Sequence, residues 1–261
     1  IQALLGNSIK LAQVDPATAV NAINQGADLV MLSGTLNSFP YSFITQKEIR
    51  KPEDLVGKKI GMLAVGGATE TATLLALKAW NVPRQSVTIF PAGESAARII
   101  ALTAKAIDGT MLSYPDINEA LRVGMHEFAK MSDVKGSSFP MNVMMARRSF
   151  VEKNRDMVKR FQQAYAEGVY QFMNNKEKGV AVLSKWLRVR NPKAIEETYN
   201  YFAKSFSFPT RVSHEGLRNT LEIIAQRNPA VKVDMNIGKY LDESIVDELE
   251  REGFFKRLAG K

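Results

Sequence analysis

Short apolar strands alternate with helical segments through the first half of the chain, and this alternation limits the folds that are open to it. Lys58–Val65 and Ile107–Leu112 are apolar runs, each followed by a turn and then by a helical pattern. Such alternation is typical of α/β folds, in which mostly parallel strands are covered by helices. From about Arg147 onwards the pattern predicts helix almost throughout, beginning with a long helix after Asn154. Its apolar face is predicted to include Tyr165.

Composition excludes several classes of protein. The chain has 261 residues, of which 45% are hydrophobic and 24% charged, as in ordinary globular proteins. This length allows one large domain or two lobes. We expect no membrane-spanning helix, because no apolar run reaches the roughly 18 residues that a span needs. Cysteine is absent, which excludes disulfides, thiolate metal sites and cysteine nucleophiles.

The positive charge is modest and scattered. There are 35 Lys and Arg against 27 Asp and Glu, a formal net charge of +8. A nucleic-acid binder gathers its basic residues into a patch, so we expect no nucleic-acid partner. The tightest basic cluster is Lys185, Arg188, Arg190 and Lys193. We interpret it as a solvated helix end, with docking of an anionic partner as the alternative.

Metal and catalytic signals are weak. The two histidines, His126 and His214, have no second ligand at metal-binding spacing, so we interpret both as structural or surface residues and expect no metal. No G-x-S-x-G elbow is present, and a histidine-based triad is not expected. The sequence therefore offers no catalytic residues.

The most informative motif is a glycine-rich turn between a predicted strand and a predicted helix. It comprises Gly66, Gly67, Ala68 and Thr69. The first backbone N–H groups of a helix are unpaired and lie at its positive end, so such a turn can bind an anion. It matches neither the Walker loop nor G-x-G-x-x-G, and no nucleotide cofactor is predicted. The alternative is that the turn only connects two elements.

Other strand ends carry small or polar residues as well. Open α/β sheets bind ligands at the carboxyl ends of their strands, so one ligand could be held from several junctions. Glu70 and Asp116 could instead stabilise helix ends, or favour an amine on the ligand. The candidate ligand contacts are Asp15, Ala17, Thr18, Thr35, Asn37, Gly66, Gly67, Ala68, Thr69, Glu70, Ser113, Tyr114, Asp116 and Asn142.

A series of segments resembles one family of proteins, in the family's order. Ala3–Ala12 resembles the stretch AL-x-x-G-x-x-D-x-A, and the element DL-x-G-K-K-I-G within Lys51–Gly61 is the most specific match. The further matches are Ala22–Gly26, Gly66–Thr69, Ala101–Leu102 with Ile107–Gly109, Leu112–Pro115 and Phe150–Asn154. Together they resemble the solute-binding proteins of ABC importers of the nitrate, sulfonate and taurine type, also called NMT1-like.

The resemblance implies a two-lobed type II periplasmic-binding-protein fold, each lobe a mostly parallel sheet flanked by helices. Lobe I would comprise residues 1–49 and 140–261, and lobe II residues 50–139. Two crossings, near Gln46–Arg50 and Phe139–Asn142, would form the hinge. The family's layout also implies a further strand–helix–strand unit and an export signal before Ile1.

The implied function is capture of a small, anionic organic ligand between the lobes and its delivery to an ABC permease. The protein would be a monomer, periplasmic or lipid-anchored outside the cytoplasmic membrane, without a cofactor. Relatives use nitrate, alkyl sulfonates, taurine, aromatic acids and pyrimidine precursors, so the ligand itself stays open among the sulfonate, carboxylate and nitrate classes.

Two alternatives belong to other functional classes. Enzymes of thiamine-pyrimidine and menaquinone biosynthesis resemble the same architecture, and the fungal-type pyrimidine synthases rely on a histidine and a cysteine cluster. This chain has no Cys, and its two His lie outside the polar junctions, which disfavours an enzyme. The ligand-sensing half of a regulator would need an attached DNA-binding or signalling module, and none is visible in the sequence.

Overall fold

The computed structural model describes residues 1–187, 191–227 and 232–260. They form two compact units, each built from separate stretches of chain. The first unit comprises Ile1–Asn37, Ser138–Gly179 and Ala203–Lys261, and the second comprises Ser38–Ser137 and Val180–Phe202. The chain therefore passes from one unit to the other at four points. No helix within the described ranges has the length and apolarity needed to cross a bilayer.

The described residues contain strands and helices in an order close to the predicted one. The strands are β1 (Leu11–Val14), β2 (Val30–Leu36), β3 (Ser42–Thr45), β4 (Lys59–Met62), β5 (Thr88–Pro91), β6 (Gly109–Leu112), β7 (His126–Lys130) and β8 (Asn142–Ala146). The helices are α1 (Gln2–Leu5), α2 (Pro16–Asn24), α3 (Ala68–Ala79), α4 (Ser95–Thr103), α5 (Asp116–Arg122), α6 (Arg148–Lys153), α7 (Arg155–Asn174), α8 (Lys176–Trp186), α9 (Pro192–Ser205), α10 (His214–Arg227), α11 (Ser244–Arg251) and α12 (Phe254–Ala259).

The first unit has a three-stranded sheet in the order β1-β8-β2. β8 is antiparallel to both neighbours, with Met145 opposite Ala12 on one side and Met31 on the other. β1 and β2 run in the same direction, since α2 joins them as a crossover, but the returning β8 lies between them. The expectation of a mostly parallel sheet is therefore wrong for this unit.

The second unit has a five-stranded sheet in the order β5-β4-β6-β3-β7. β4 is parallel to β5 and to β6, whereas β3 is antiparallel to β6 and to β7. This sheet is mixed, with a parallel half that carries the glycine-rich turn at the end of β4. The α/β fold class is confirmed, with mixed rather than mostly parallel sheets.

The division of the chain differs from the expected one. β3 was placed in lobe I, yet it pairs along its length with β6 and β7, so residues 38–49 belong to the second unit. Gln46, expected in the hinge, donates from Nε2 to the carbonyl oxygens of Leu102 and Ile107 in that unit. The return crossing falls at Ser137–Ser138, close to the expected position. Val180–Phe202 also belongs to the second unit, which the sequence did not indicate.

Each unit has its own hydrophobic core. In the first, Met31 and Val143 pack with Leu217 of α10 on one side of the sheet, while Val30 and Leu32 pack on the other. In the second, the core includes Ile44, Ile99, Leu102, Ile107, Leu112 and Ile117. Burying one such side chain contributes roughly 1.5–3 kcal/mol. These cores hold the strand ends that carry the candidate site residues.

Candidate ligand-binding site

The glycine-rich turn joins β4 to α3 in the second unit. Gly66 has a φ of +79°, which a glycine adopts without strain, and Gly67 is the N-cap of α3 with a φ of −81°. No side chain caps this helix. Among the residues that the structure describes, the backbone N–H groups of Ala68 and Thr69 have no protein acceptor. The turn therefore presents two unpaired amide donors at the positive end of a helix.

Two side chains of the turn hold its shape. The Gly66 amide donates to Glu70 Oε2 at 2.6 Å, and the Leu63 amide donates to Thr69 Oγ1 at 3.0 Å. Thr69 is buried, so its hydroxyl ties the end of β4 to the start of α3. An anion at this turn would therefore bind at the amides of Ala68 and Thr69, since Glu70 already occupies that of Gly66.

A buried arginine, which was not among the predicted site residues, lies at the ends of β4 and β6. Arg98 of α4 is only 3% exposed. Its guanidinium donates to four neutral acceptors: Gly93 O, Ser95 Oγ, Thr110 Oγ1 and Met111 O. Within residues 1–187, 191–227 and 232–260, no carboxylate lies within ion-pair distance of it.

Burial lowers the pKa of Arg98, and the charges of Tyr41, Asp116 and Glu94 oppose that change. The guanidinium stays charged at neutral pH because its ordinary pKa is very high. Arg98 Nη1 donates to Thr110 Oγ1 at 2.9 Å, and that hydroxyl donates to Gly61 O in β4 at 2.8 Å. This chain of hydrogen bonds ties a buried positive charge to the strand that leads into the glycine-rich turn.

The second predicted junction of this unit follows β6. The carbonyl of Ser113 accepts from the Ile117 amide at 3.1 Å, and this hydrogen bond forms the turn that leads into α5. Asp116 is the first residue of that helix. The Tyr114–Pro115 peptide bond is cis. The Tyr114 ring lies 4.9 Å from that of Tyr201 of α9, measured between centroids.

Two acidic side chains, one on α9 and one on β7, act electrostatically on Tyr114. Glu197 of α9 accepts from Asn118 Nδ2 at 2.5 Å, and Glu127 of β7 accepts from Ser42 Oγ at 2.6 Å. Burial, and then the charges of Glu127 and Glu197, raise the pKa of Tyr114. Tyr114 was the only one of these side chains to be predicted, since the others come from distant parts of the chain.

The first unit has a polar cluster at the junction of β2 and β8. Thr35 Oγ1 lies 3.1 Å from the hydroxyl of Tyr165 and 3.5 Å from Asn142 Oδ1, so two predicted residues meet there. Gln13 of β1 donates to the same tyrosine hydroxyl. Burial raises the pKa of Tyr165, and its hydrogen bonds with Thr35 and Gln13 oppose that change. Tyr165 was predicted only as part of an apolar helix face. Its hydroxyl could have indicated a polar contact as well, because a buried tyrosine hydroxyl needs a hydrogen-bond partner.

Asn37 has a structural role in the first unit. Its Nδ2 donates to Ser207 Oγ at 3.0 Å and to Arg211 O at 2.8 Å, and its Oδ1 accepts from the Ser213 amide at 2.8 Å. Both amide hydrogens are therefore used within the protein. In this structure the Asn37 side chain links the segment after β2 to the segment between α9 and α10. Contact between this side chain and a ligand stays a prediction.

The junction before α2 is also structural. Asp15 caps this helix, with Oδ1 accepting from the Thr18 amide at 2.9 Å and from the Thr18 hydroxyl at 3.1 Å. Ala17 packs against the core of the first unit. The structure does not bring these residues into the cluster around Thr35, and their ligand contacts stay predictions.

The histidines lie apart from these clusters. His214 Nε2 is 2.8 Å from Glu243 Oε2, and the His126 ring meets that of Phe128 edge-on. In the described part of the chain, no group of three His, Cys, Asp or Glu could hold a metal ion. Of the basic cluster, Arg188 and Arg190 lie outside the described residues, and Lys185 and Lys193 are exposed.

Comparison with known proteins places the chain in a family. The model of the NMT1/THI5-like family matches residues 1–178. The chain belongs to the NMT1/THI5-like family. A curated relative, the taurine-binding periplasmic protein of Escherichia coli (strain K12), is 24% identical over 177 residues. That match covers 67% of this chain and 54% of the relative, so it spans about half of the relative's length.

Solved structures show the fold of the family. The periplasmic aliphatic sulphonate binding protein SsuA from Escherichia coli matches with a TM-score of 0.74 and 18% identity, covering 92% of this chain and 78% of that one. The periplasmic sulfonate-binding protein SsuA from Methylobacillus flagellatus KT matches with a TM-score of 0.75 and 17% identity, covering 97% and 79%. The NMT1/THI5-like chain therefore has the periplasmic-binding-protein fold that its sequence led us to expect.

Proposed function

We propose that this NMT1/THI5-like chain is an extracytoplasmic solute-binding protein that captures a small organic anion and delivers it to an ABC permease. Family membership and the likeness to periplasmic binding proteins support this role. The names of the relatives favour a sulfonate among the anion classes. The location outside the cytoplasm, the permease partner and the monomeric state are part of the same proposal.

The proposal rests on two features that occur together at one edge of the second unit's sheet. One is the pair of backbone amides at the start of α3, and the other is a buried cation. The amides of Ala68 and Thr69 offer directed donors, and Arg98 supplies a full positive charge without a carboxylate partner in the described residues. The acceptors of Arg98 are neutral, so an anion bound at this edge of the sheet would offset the cost of burying its positive charge.

The energies are large enough for useful affinity. A hydrogen bond from a backbone amide to a charged group contributes roughly 1.5–3 kcal/mol. The helix dipole adds about 0.3–1 kcal/mol. Two such bonds with the dipole would supply about 3–7 kcal/mol of the roughly 8 kcal/mol that a micromolar ligand requires.

We also propose that the protein binds its ligand without changing it. The sequence has no cysteine that could act as a nucleophile. Within the described residues, neither Thr35 of the first unit nor Thr69 of the glycine-rich turn is hydrogen-bonded to a histidine that could act as its base. Prolonged incubation with a tightly bound ligand, followed by mass spectrometry, should return that ligand unchanged.

The test is calorimetric titration of the full chain with ethanesulfonate, taurine and nitrate, alongside two variants of one position. Gly67→Asp places a carboxylate at the N-cap, where it would accept from the Thr69 amide, one of the two that we assign to the ligand, and would repel an anion at the other. Binding of the preferred anion should weaken at least about tenfold, by roughly 1.4 kcal/mol. The thermal midpoint of the unliganded variant should stay the same or rise slightly, because aspartate is a good N-cap.

Gly67→Ala is the matched control, since it adds the same Cβ without the charge. That Cβ would lie 3.2 Å from the carbonyl oxygen of Ala64, so the two variants share one small steric cost. If Gly67→Asp binds the anion as tightly as Gly67→Ala does, the turn is only a connector. If the wild-type chain binds no small anion, the proposed function is wrong.

A further inference from the structure

A cavity lies in the second unit at the end of α3 that is remote from the glycine-rich turn. Its volume is about 390 Å³, within the range of small-molecule sites. Two aromatic rings, one aliphatic side chain and three charged side chains line this Trp80 cavity: Trp80, Phe128, Val134, Lys130, Asp133 and Lys135. α3 has 12 residues between the turn and Trp80, so the cavity lies about 18 Å along the helix from the proposed anion site.

The aromatic wall of the Trp80 cavity is supported by a third, buried ring. Trp80, the C-cap of α3, meets Phe128 of β7 edge to face, with the ring centroids 5.1 Å apart and the ring planes at 78°. Phe43 of β3 is fully buried, and its ring centroid lies 5.8 Å from that of Trp80 and 6.1 Å from that of Phe128. Trp80 and Phe128 are themselves only half-buried. Both rings therefore pack on a fixed base and keep accessible surface.

The hydrogen-bond donors of the Trp80 cavity are available to an anion. Across the residues that the structure describes, Lys130 and Lys135 form no ion pair, and the indole N–H of Trp80 has no protein acceptor. The one carboxylate of the lining, Asp133, accepts from Ser132 Oγ at 2.9 Å. Two positive charges therefore lie beside one negative charge. The C-terminal end of the α3 dipole opposes an anion, but its partial charge is smaller than the full charge of either lysine.

We propose that the Trp80 cavity is a second ligand site, which binds a planar aromatic carboxylate of about the size of benzoate. The ligand's ring would pack against Trp80 and Phe128, since aromatic rings favour edge-to-face and offset contacts. Its carboxylate would accept hydrogen bonds from Lys130 and Lys135, and such charge-assisted bonds are stronger than neutral ones. The site uses none of the α3 amides that are assigned to the transported anion, so it is independent of the proposed function.

Tryptophan fluorescence tests this site directly, because the chain has only two tryptophans. Trp186 is 73% exposed, so Trp186→Phe should leave the fold intact and make Trp80 the only indole. Titration of this full-length variant with benzoate should change the Trp80 emission in a saturable way. Cyclohexanecarboxylate has the charge without the aromatic ring, and benzyl alcohol has the ring without the charge. Each should bind at least about fivefold more weakly than benzoate.

Substitutions in the same background identify the groups that bind. Lys130→Gln and Lys135→Gln each remove one exposed charge and should weaken benzoate binding about fivefold. Lys105→Gln makes the same change of net charge at an exposed lysine outside the cavity lining, and should leave the affinity unchanged. Ala79→Leu fills the cavity from the last residue of α3, where the alanine is exposed and leucine suits a helix. It should abolish benzoate binding and leave the chain folded.

Gly67→Asp separates this site from the glycine-rich turn. In the Trp186→Phe background it should bind benzoate with unchanged affinity, whereas a loss of binding would assign benzoate to the α3 amides and overturn the second site. Equal affinity for benzoate and cyclohexanecarboxylate would overturn it too, and so would unchanged benzoate binding in both lysine variants. Absence of saturable benzoate binding, by emission and by calorimetry, would have the same meaning.

Discussion

Gln162 of α7 is a buried polar side chain in the first unit. It is 1% exposed, and within the described ranges neither its Nε2 nor its Oε1 has a hydrogen-bond partner. Leaving buried polar atoms unpaired costs about 1–3 kcal/mol. Gln162→Met, which has a similar shape and no such atoms, should therefore raise the free energy of unfolding by about 1 kcal/mol in urea denaturation.

The neighbouring Gln163 provides the control, because it is only half-buried on the same helix. Gln163→Met should leave the free energy of unfolding nearly unchanged. A clear loss of stability in Gln162→Met would mean that the amide has a partner in solution and contributes to the fold.

At the residue scale, prediction from sequence works where the cause is local. The turn at Gly66 and Gly67 was found because strand, glycines and helix are adjacent in the chain. Arg98 was missed, although its place in an otherwise apolar helix was a usable signal. Glu197 and Tyr201 could not have been found, because their contacts with α5 join residues about 80 positions apart.

At the element scale, α7 is fastened to α11 by an ion network in the first unit. Lys159 Nζ lies 2.6 Å from Glu248 and 2.6 Å from Glu252, and Arg155 lies 2.8 Å from Glu248. Hydrogen bonds from Lys159 and Arg155 lower the pKa of Glu248 below its ordinary 4.5. The same contacts with Glu248 and Glu252 raise the pKa of Lys159 above 10.5.

The sign of the pH dependence follows from these directions. A carboxylate whose pKa is lower in the folded state stabilises the protein above its unfolded pKa, and this contribution is lost as the pH falls below 4.5. Glu248→Gln should therefore reduce the free energy of unfolding at pH 7, and the deficit should shrink in acid. Urea denaturation at several pH values measures this deficit.

Glu152→Gln is the control for the network, since it removes one exposed charge of the same sign on α6. It should change the free energy of unfolding little. A Glu248→Gln deficit that persists unchanged well below pH 4.5 would show that packing, rather than charge, is what the substitution disturbs.

The elements themselves were largely predictable, but their pairing was not. The alternation of strands with helices in the first half was predicted, yet β3 falls in the expected lobe I, residues 1–49, and the structure groups it with the second unit. Alternation and apolar runs indicate that a strand is buried, and they do not say which sheet it joins. The register of β3 against β6 and β7 depends on contacts more than 60 residues away in sequence.

At the scale of the whole molecule, the charge of the chain bears on how ligands arrive. The net charge of +8 creates a positive potential that extends over the Debye length, about 30 Å at 0.01 M salt and about 8 Å at 0.15 M. Given the proposed function, ethanesulfonate carries a charge of −1 and should be attracted on approach. Taurine is zwitterionic and net neutral at pH 7, so it should feel little long-range attraction.

The association rate of ethanesulfonate should therefore fall several-fold between about 10 mM and about 150 mM salt, whereas that of taurine should change little. Dissociation rates should change little for either ligand, because short-range contacts within the site are screened much less. Stopped-flow binding at several salt concentrations measures both rates. Equal salt dependence of the two association rates would show that the ligand's local charges, rather than its net charge, govern its approach to the protein.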